Sequence, residues 1–308
     1  MSLSTREAYG MALASLGSTE EFVVLDADLA KATQTLAFAQ KFPHRFFDMG
    51  ISEGDMIGTA AGIATTGEPV FASTFAMFAA GRAYEQIRNA VAYPRLNVKI
   101  AATHGGVLIG EDGASHQCIE DISLMRTIPG MTVLVPCDEH STYLAVEAAL
   151  KMDGPVYLRF GRCSSEPVYT KAAAKFEIGK GNVIRDGQDI TIIAIGDLVF
   201  EALKAAEVLE KRNISTAVID MASVKPIDSQ LVRRYAEKTG KIITAEDHNV
   251  IGGLGGAVAE ILAESGTAKL RRVGLQDEFG CSGKRAELQE KFKLNAEGIL
   301  EAAAYFSC

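Results

Sequence analysis

The sequence predicts two doubly wound α/β domains, each a mostly parallel sheet with helices on both faces. Short apolar runs rich in Val and Ile recur along the chain, too continuous to be strands with one solvated face. Segments of helical period separate them, the alternation that builds a sheet covered on both sides. The alternation also stops over residues 163–188 and then restarts.

The elements follow in order. A capping box, Ser4-x-x-Glu7, opens an apolar-periodic helix over 4–16. FVVLDAD (22–28), PVFAST (69–74), NVKIAATH (97–104), TVLVP (132–136) and PVYLRF (155–160) are buried strands, with helices over 53–66, 77–92 and 138–151. These elements place a first domain over 1–162. The stretch 163–188 is polar and Gly-bearing and is expected to connect domains. A second domain, 189–308, carries strands DITIIAIGD (189–197), STAVIDM (215–221), KIITAED (241–247) and KLRRVGLQ (269–276). Helices over 199–213, 228–239, 254–265, 284–292 and 295–306 alternate with them or close the chain.

Composition narrows the function classes. A chain of 308 residues, 48% hydrophobic and 23% charged, can bury a sizeable core. Its formal net charge of −8, with no basic run, makes nucleic acid and anionic membrane poor partners. Five cysteines (118, 137, 163, 281 and 308) form no CxxC and read as reduced thiols of a cytoplasmic protein. The opening MSLSTREAYGM has no basic-then-apolar export signal, and no 18-residue apolar run occurs.

Four stretches could carry chemistry. In GISEGDMIGTAAGIATTGEP (50–69), Gly50 permits a tight turn and Glu53 opens a helix of small residues that lets a ligand or backbone approach. Glu53 is either a first-turn acid complementing the helix dipole or a buried carboxyl aimed at a ligand nitrogen. Phe75 and Phe78, three apart, are either core aromatics or a flat wall for a ring. The Gly-rich loop over 102–121 follows a strand, where open α/β sheets bind ligands, and holds His104, Glu111, Asp112 and His116. Asp112 and His116 could both face a hydroxylated substrate; the alternative is a solvated Asp-Gly turn. Arg159 and Arg6 could hold an anion or lie on the surface. IGGLGGAVAE (251–260) sits where a phosphate-cradling turn would, but Glu246-Asp247 just before it would repel an anion, and tight packing is the better reading.

The order of these motifs resembles the C-terminal half of transketolase, a thiamine-diphosphate enzyme. DADLAKAT, FFDMGISE, STFAMF, THGGVLIGEDGASHQ, VYLRFGR, KPID, EDHNVIGGLGG and FGCSGKRAEL carry the resemblance across nearly the whole chain. Several of them are shared with deoxyxylulose-phosphate synthases. The resemblance implies that Glu53 hydrogen-bonds N1′ of the cofactor's aminopyrimidine and so promotes loss of the thiazolium C2 proton. It implies that Phe75, Phe78 and Ile51 contact the cofactor, with Asp28 near the thiazolium. Asp112 and His116 would contact sugar hydroxyls, His116 assisting proton movement. His104, Arg159 and Arg6 would clamp a phosphate. The family often carries His where this chain has Gly54, and Tyr where it has Gly81. No Gly-Asp-Gly…Asn motif for the metal-bound diphosphate occurs. The resemblance therefore implies one subunit of a split enzyme that shares thiamine diphosphate with a transketolase N-terminal partner. That partner would hold Mg2+ or another divalent metal, two pairs would form a heterotetramer, and sugar phosphates would be the substrates. The alternatives are a 2-oxoacid dehydrogenase β subunit, a deoxyxylulose-phosphate-synthase-like enzyme, or a non-catalytic assembly subunit.

Overall fold

The computed structural model describes residues 3–307 except Ser165 and Thr267; Cys308 lies outside the described residues. Among the described residues twelve strands are formed: β1 (Val23–Asp26), β2 (Phe46–Asp48), β3 (Val70–Phe75), β4 (Val98–Thr103), β5 (Thr132–Leu134), β6 (Val156–Arg159), β7 (Asn182–Arg185), β8 (Ile190–Ala194), β9 (Thr216–Asp220), β10 (Ser223–Lys225), β11 (Lys241–Asn249) and β12 (Lys269–Leu275). One sheet runs β10-β5-β6-β4-β3-β1-β2, the other β12-β11-β8-β9-β7. All pairings are parallel except β10 with β5 and β7 with β9. Every residue of β3, β4, β6, β8 and β9 is buried, as strands covered on both faces must be.

Three differences from the expected elements have local causes. Residues 182–185, inside the stretch read as a connection, form the antiparallel edge strand β7, whose partial exposure conceals any strand pattern. The short β10 leaves the second domain's sequence and joins the first sheet, so the two halves are stitched by backbone. The helix expected over 77–92 is broken into Ala76–Arg82, Tyr84–Gln86 and a π-helical turn, Ile87–Ala92. The capping box at Ser4 forms as read: Ser4 N donates to Glu7 Oε2 at 2.8 Å and Glu7 N to Ser4 Oγ at 3.3 Å.

The Gly-rich turn at 251–255 is filled from within. Leu254 N and Gly255 N donate to the Glu246 carboxylate at 2.7 and 2.8 Å, so the helix Leu254–Ser265 carries its own anion at its N-terminus. A Cβ on Gly253 would lie 2.0 Å from Glu246 Oε2. This is packing, with no room for a phosphate.

Buried acids give the fold a pH signature. Burial pushes Asp220 up to about 7 from an ordinary 3.8, although Tyr169 Oη and Cys137 Sγ donate to it. Burial likewise pushes Glu246 up to about 7 and Asp247 to about 6. At these three acids the folded state therefore binds more protons than the unfolded chain between about pH 4 and pH 7, an effect opposed below about pH 6.5 by His104 and His248, which burial pushes down to about 3 and about 4. The acids' contribution is full below the unfolded pKa values and is lost as pH rises through the folded ones. Urea midpoints are expected to fall between pH 5 and pH 8, and Asp220→Asn to reduce that fall, by on the order of 2 kcal/mol. An unchanged slope in the variant would contradict it.

Candidate active site

The site forms at the carboxyl edge of the first sheet, where open parallel sheets place ligands. Asp28 follows β1, Glu53 opens the helix after β2, Phe75 ends β3, and His104 follows β4. Two of these residues have left-handed backbone conformations despite their side chains: Asp28 at φ 59° and His104 at φ 60°. Such strain concentrates at functional positions.

Glu53 is 4% exposed although it stands in the first turn of Glu53–Ala64. Gly50, at φ 68°, makes the turn that delivers it, and the Asp48 carboxylate fixes that turn by accepting from Gly50 N at 2.9 Å and Asp28 N at 3.0 Å. The Phe75 and Phe78 rings stack at 5.5 Å and 21°. His104 stacks on Phe75 at 3.8 Å, and His116 meets Phe78 edge-on at 5.4 Å. The acid joins this aromatic group through Arg82, whose Nη1 donates to Glu53 Oε1 at 3.0 Å while its Cζ lies 4.0 Å over the Phe78 ring. Glu53, both phenylalanines and both loop histidines thus form one continuous patch. Ile51, beside it in sequence, is 75% exposed.

The expected phosphate clamp is only partly assembled. Burial, then the charges of Arg6 and Arg162, push His104 down to about 3, so it offers a neutral imidazole. Its Nδ1 bonds Thr103 Oγ1 at 2.9 Å. Arg6 donates to the Arg162 and Ala32 carbonyls and remains half-buried near Asp112. For Arg159, read from sequence as holding an anion or lying on the surface, the surface alternative is overturned. It is buried, and its Nε donates to Asp121 Oδ2 at 2.8 Å while Nη2 donates to the Cys118 and Asp247 carbonyls. Its guanidinium is engaged in holding the loop 104–121 and the second domain together. Asp112 is exposed, 3.5 Å from Arg162 Nη1.

Sequence reasoning missed Arg82, Arg162 and Asp121. For Arg82 a signal existed: it lies four residues after Phe78, one turn along the same helix. Arg162 follows the last strand of the first domain and gave none beyond its charge. Asp121 is invisible without the fold, because its partners Tyr157 and Arg159 lie 36 and 38 residues away.

The second domain shapes the loop. Val107 N and Leu108 N donate to the Asp247 carboxylate at 2.9 and 3.1 Å. Gly106, at φ 88°, is the close approach that permits it, since a Cβ there would lie 2.0 Å from Asp247 Oδ2. Gly106→Ala is expected to cost about 2–3 kcal/mol in urea unfolding, from left-handed strain plus the clash. A midpoint equal to wild type would show that Asp247 yields freely.

The residues fit the pyrimidine half of thiamine diphosphate: a buried carboxyl for a ring nitrogen beside a stacked aromatic pair. Among the described residues no group of three or more His, Cys, Asp or Glu is placed to hold a metal ion.

Comparisons with known proteins agree with this arrangement. Residues 1–166 match the transketolase pyrimidine-binding domain model and residues 179–299 the transketolase C-terminal domain model. A chain of Methanocaldococcus jannaschii assigned as a transketolase C-terminal section is 52% identical over 297 residues, covering 96% of this chain and 93% of that one. A 6-deoxy-6-sulfo-D-fructose transketolase subunit of a Clostridium species is 43% identical over 284 residues, covering 92% and 88%. The solved structure of a split-gene transketolase, an inactive β4 tetramer, superposes with a TM-score of 0.90 at 48% identity, covering 99% and 98%.

Proposed function

Because the chain belongs to the transketolase family of thiamine-diphosphate-dependent transferases, we propose that it is the subunit of a split transketolase that moves a two-carbon ketol unit between sugar phosphates and works only with a partner. The partner carries the diphosphate-binding domain and the divalent metal. The observation that carries this reading is the placement of Glu53: buried, in contact through Arg82 with the stacked Phe75–Phe78 pair, on a face with exposed apolar residues Phe47 and Ile51. Exposed apolar side chains beside a site suit a surface that another polypeptide covers. Two αβ pairs give the symmetric assembly.

Thiamine diphosphate, when bound, supplies the nucleophile that cleaves and re-forms the ketol's carbon–carbon bond. The chain's own residues do the rest. Glu53 presents a carboxyl oxygen to the pyrimidine N1′ and shares the proton of that hydrogen bond, in a place largely closed to water. Phe75 and Phe78 fix the ring plane, and Ile51 covers its edge. Asp28, on its strained turn beside Asp48, faces the thiazolium end. His116 and Asp112 bind the sugar hydroxyls, His116 moving a proton to or from one of them. Neutral His104 donates a hydrogen bond, and Arg6 with Arg162 supplies positive charge for the sugar's anionic tail. Arg159 supports this group from beneath without touching the ligand.

The relative that acts on a sulfonated sugar suggests that the anionic tail is recognised by charge rather than by phosphate alone. The test mixes this chain with its partner and supplies xylulose and ribose phosphates in one assay and pyruvate with a lipoyl acceptor in another. Ketol transfer in the first is the expected result. Activity in the second alone would assign the chain to the 2-oxoacid dehydrogenases, and activity in neither would leave it an assembly subunit.

A further inference from the structure

Arg82 is the site residue that neither the motifs nor the cofactor reading explains. Its guanidinium occupies two places at once: it holds Glu53 Oε1 at 3.0 Å and covers the Phe78 ring at 4.0 Å. An aminopyrimidine engaging both the acid and that ring needs the same two places. Both chemistry and mobility argue against Arg82 staying there. A cation at this distance favours the charged carboxylate, whereas catalysis requires that oxygen to share a proton with a ring nitrogen. Arg82 is also free to leave. Its side chain is 51% exposed against 5% for Glu53, and a pair with one end in water is lightly held. Among the described residues Glu53 is its one hydrogen-bond partner.

We propose that Arg82 is a displaceable guard on Glu53: the aminopyrimidine reaches the acid and the Phe78 ring by exchanging with this guanidinium, which swings toward solvent. The proposal rests on the thiamine-diphosphate reading of the site. It makes Arg82 a positioning residue that holds the acid and covers the Phe78 ring before the cofactor arrives. The other charged groups on the elements packed around the Glu53 helix are Asp26, Asp55, Glu85, Arg88 and Lys99. Asp26 accepts from Thr33 and Thr35, Glu85 from Gln86 and Asn89. Arg88 donates to Asn89, and Lys99 to the Met152 and Gly154 carbonyls. Asp55 is exposed, and none of the five bonds Glu53. Arg82 is therefore the group whose removal the acid should register.

Two readouts test this. In the full chain labelled at the Glu carboxyl carbons, the Glu53 signal is assigned as the one lost in Glu53→Gln. Its chemical shift should move in Arg82→Gln, which loses the cation held 3.0 Å from the carboxyl oxygen, and stay closer to wild type in Arg82→Lys. In the complex with the partner subunit, thiamine diphosphate with Mg2+, followed by calorimetry, should bind Arg82→Gln about 3- to 10-fold more tightly than wild type, the scale of one weak ion pair. A Glu53 signal that ignores Arg82→Gln, or cofactor binding that weakens in it, would overturn the proposal. The carboxyl signal needs no cofactor. Should Glu53→Gln keep full ketol transfer, the cofactor reading of the site would fall, while the carboxyl signal would still report separately on the Arg82 pair.

Discussion

Glu53→Gln is expected to lower ketol transfer by the assembled enzyme about 10³-fold, in the middle of the range that a positioned proton-transfer group contributes. Gln keeps the shape and a hydrogen-bonding end but cannot hold and release the shared proton. The fold should hardly notice. Glu53 has one hydrogen-bond partner among the described residues, the half-exposed Arg82, so the substitution breaks one weak pair and leaves no buried charge behind. Thermal unfolding and partner association measured beside the rate would separate the two effects. A loss of activity matched by a loss of assembly would make Glu53 structural, and a rate within a few-fold of wild type would remove it from the chemistry.

Arg159→Met is expected to act in the opposite way, costing about 3–5 kcal/mol of stability, the price of leaving a buried carboxylate without its cation. Asp121 is fully buried, its Oδ2 takes Arg159 Nε and the Tyr157 hydroxyl, and its Oδ1 has no hydrogen-bond partner among the described residues. Removing the guanidinium also frees the Cys118 and Asp247 carbonyls, and with them the seam between the site loop and the second domain. The double substitution Asp121→Asn with Arg159→Met should recover part of the loss, because it removes the stranded charge. Urea unfolding checks both. A phosphate clamp predicts the reverse: intact stability and a raised KM for the phosphorylated sugar alone. That outcome would restore Arg159 to the ligand.

The contrast between these two residues shows what was legible in the chain. Strands buried on both faces leave runs such as VKIAAT that have no other reading, so both sheets could be seen. Edge strands β7 and β10 could not, because a half-exposed or three-residue strand carries neither a continuous nor an alternating pattern. Glu53, Phe75, Phe78 and His104 were singled out because each lies at a strand end or in the first turn of a helix, where sequence position fixes spatial position, and His116 because it is the second histidine of one Gly-rich loop. Arg159 met the same criterion and yet points inward, since nothing in YLRFGR reveals that Asp121 waits beneath it. Arg82 and Arg162 were passed over because an arginine on a helix or loop has no signature until its partner is known. The Glu246 carboxylate shows the converse: two adjacent acids before a Gly-rich turn argued for packing over a phosphate there, and the helix N-terminus is filled by one of them.

The central claim is that Glu53 and its aromatic neighbours form half of a thiamine diphosphate site that a second polypeptide completes. Calorimetric titration of thiamine diphosphate with Mg2+ into this chain, into the partner, and into the mixture tests it most directly. Tight, magnesium-dependent binding in the mixture, with weak binding to this chain alone, is the predicted result. Tight magnesium-dependent binding by this chain without a partner would contradict it.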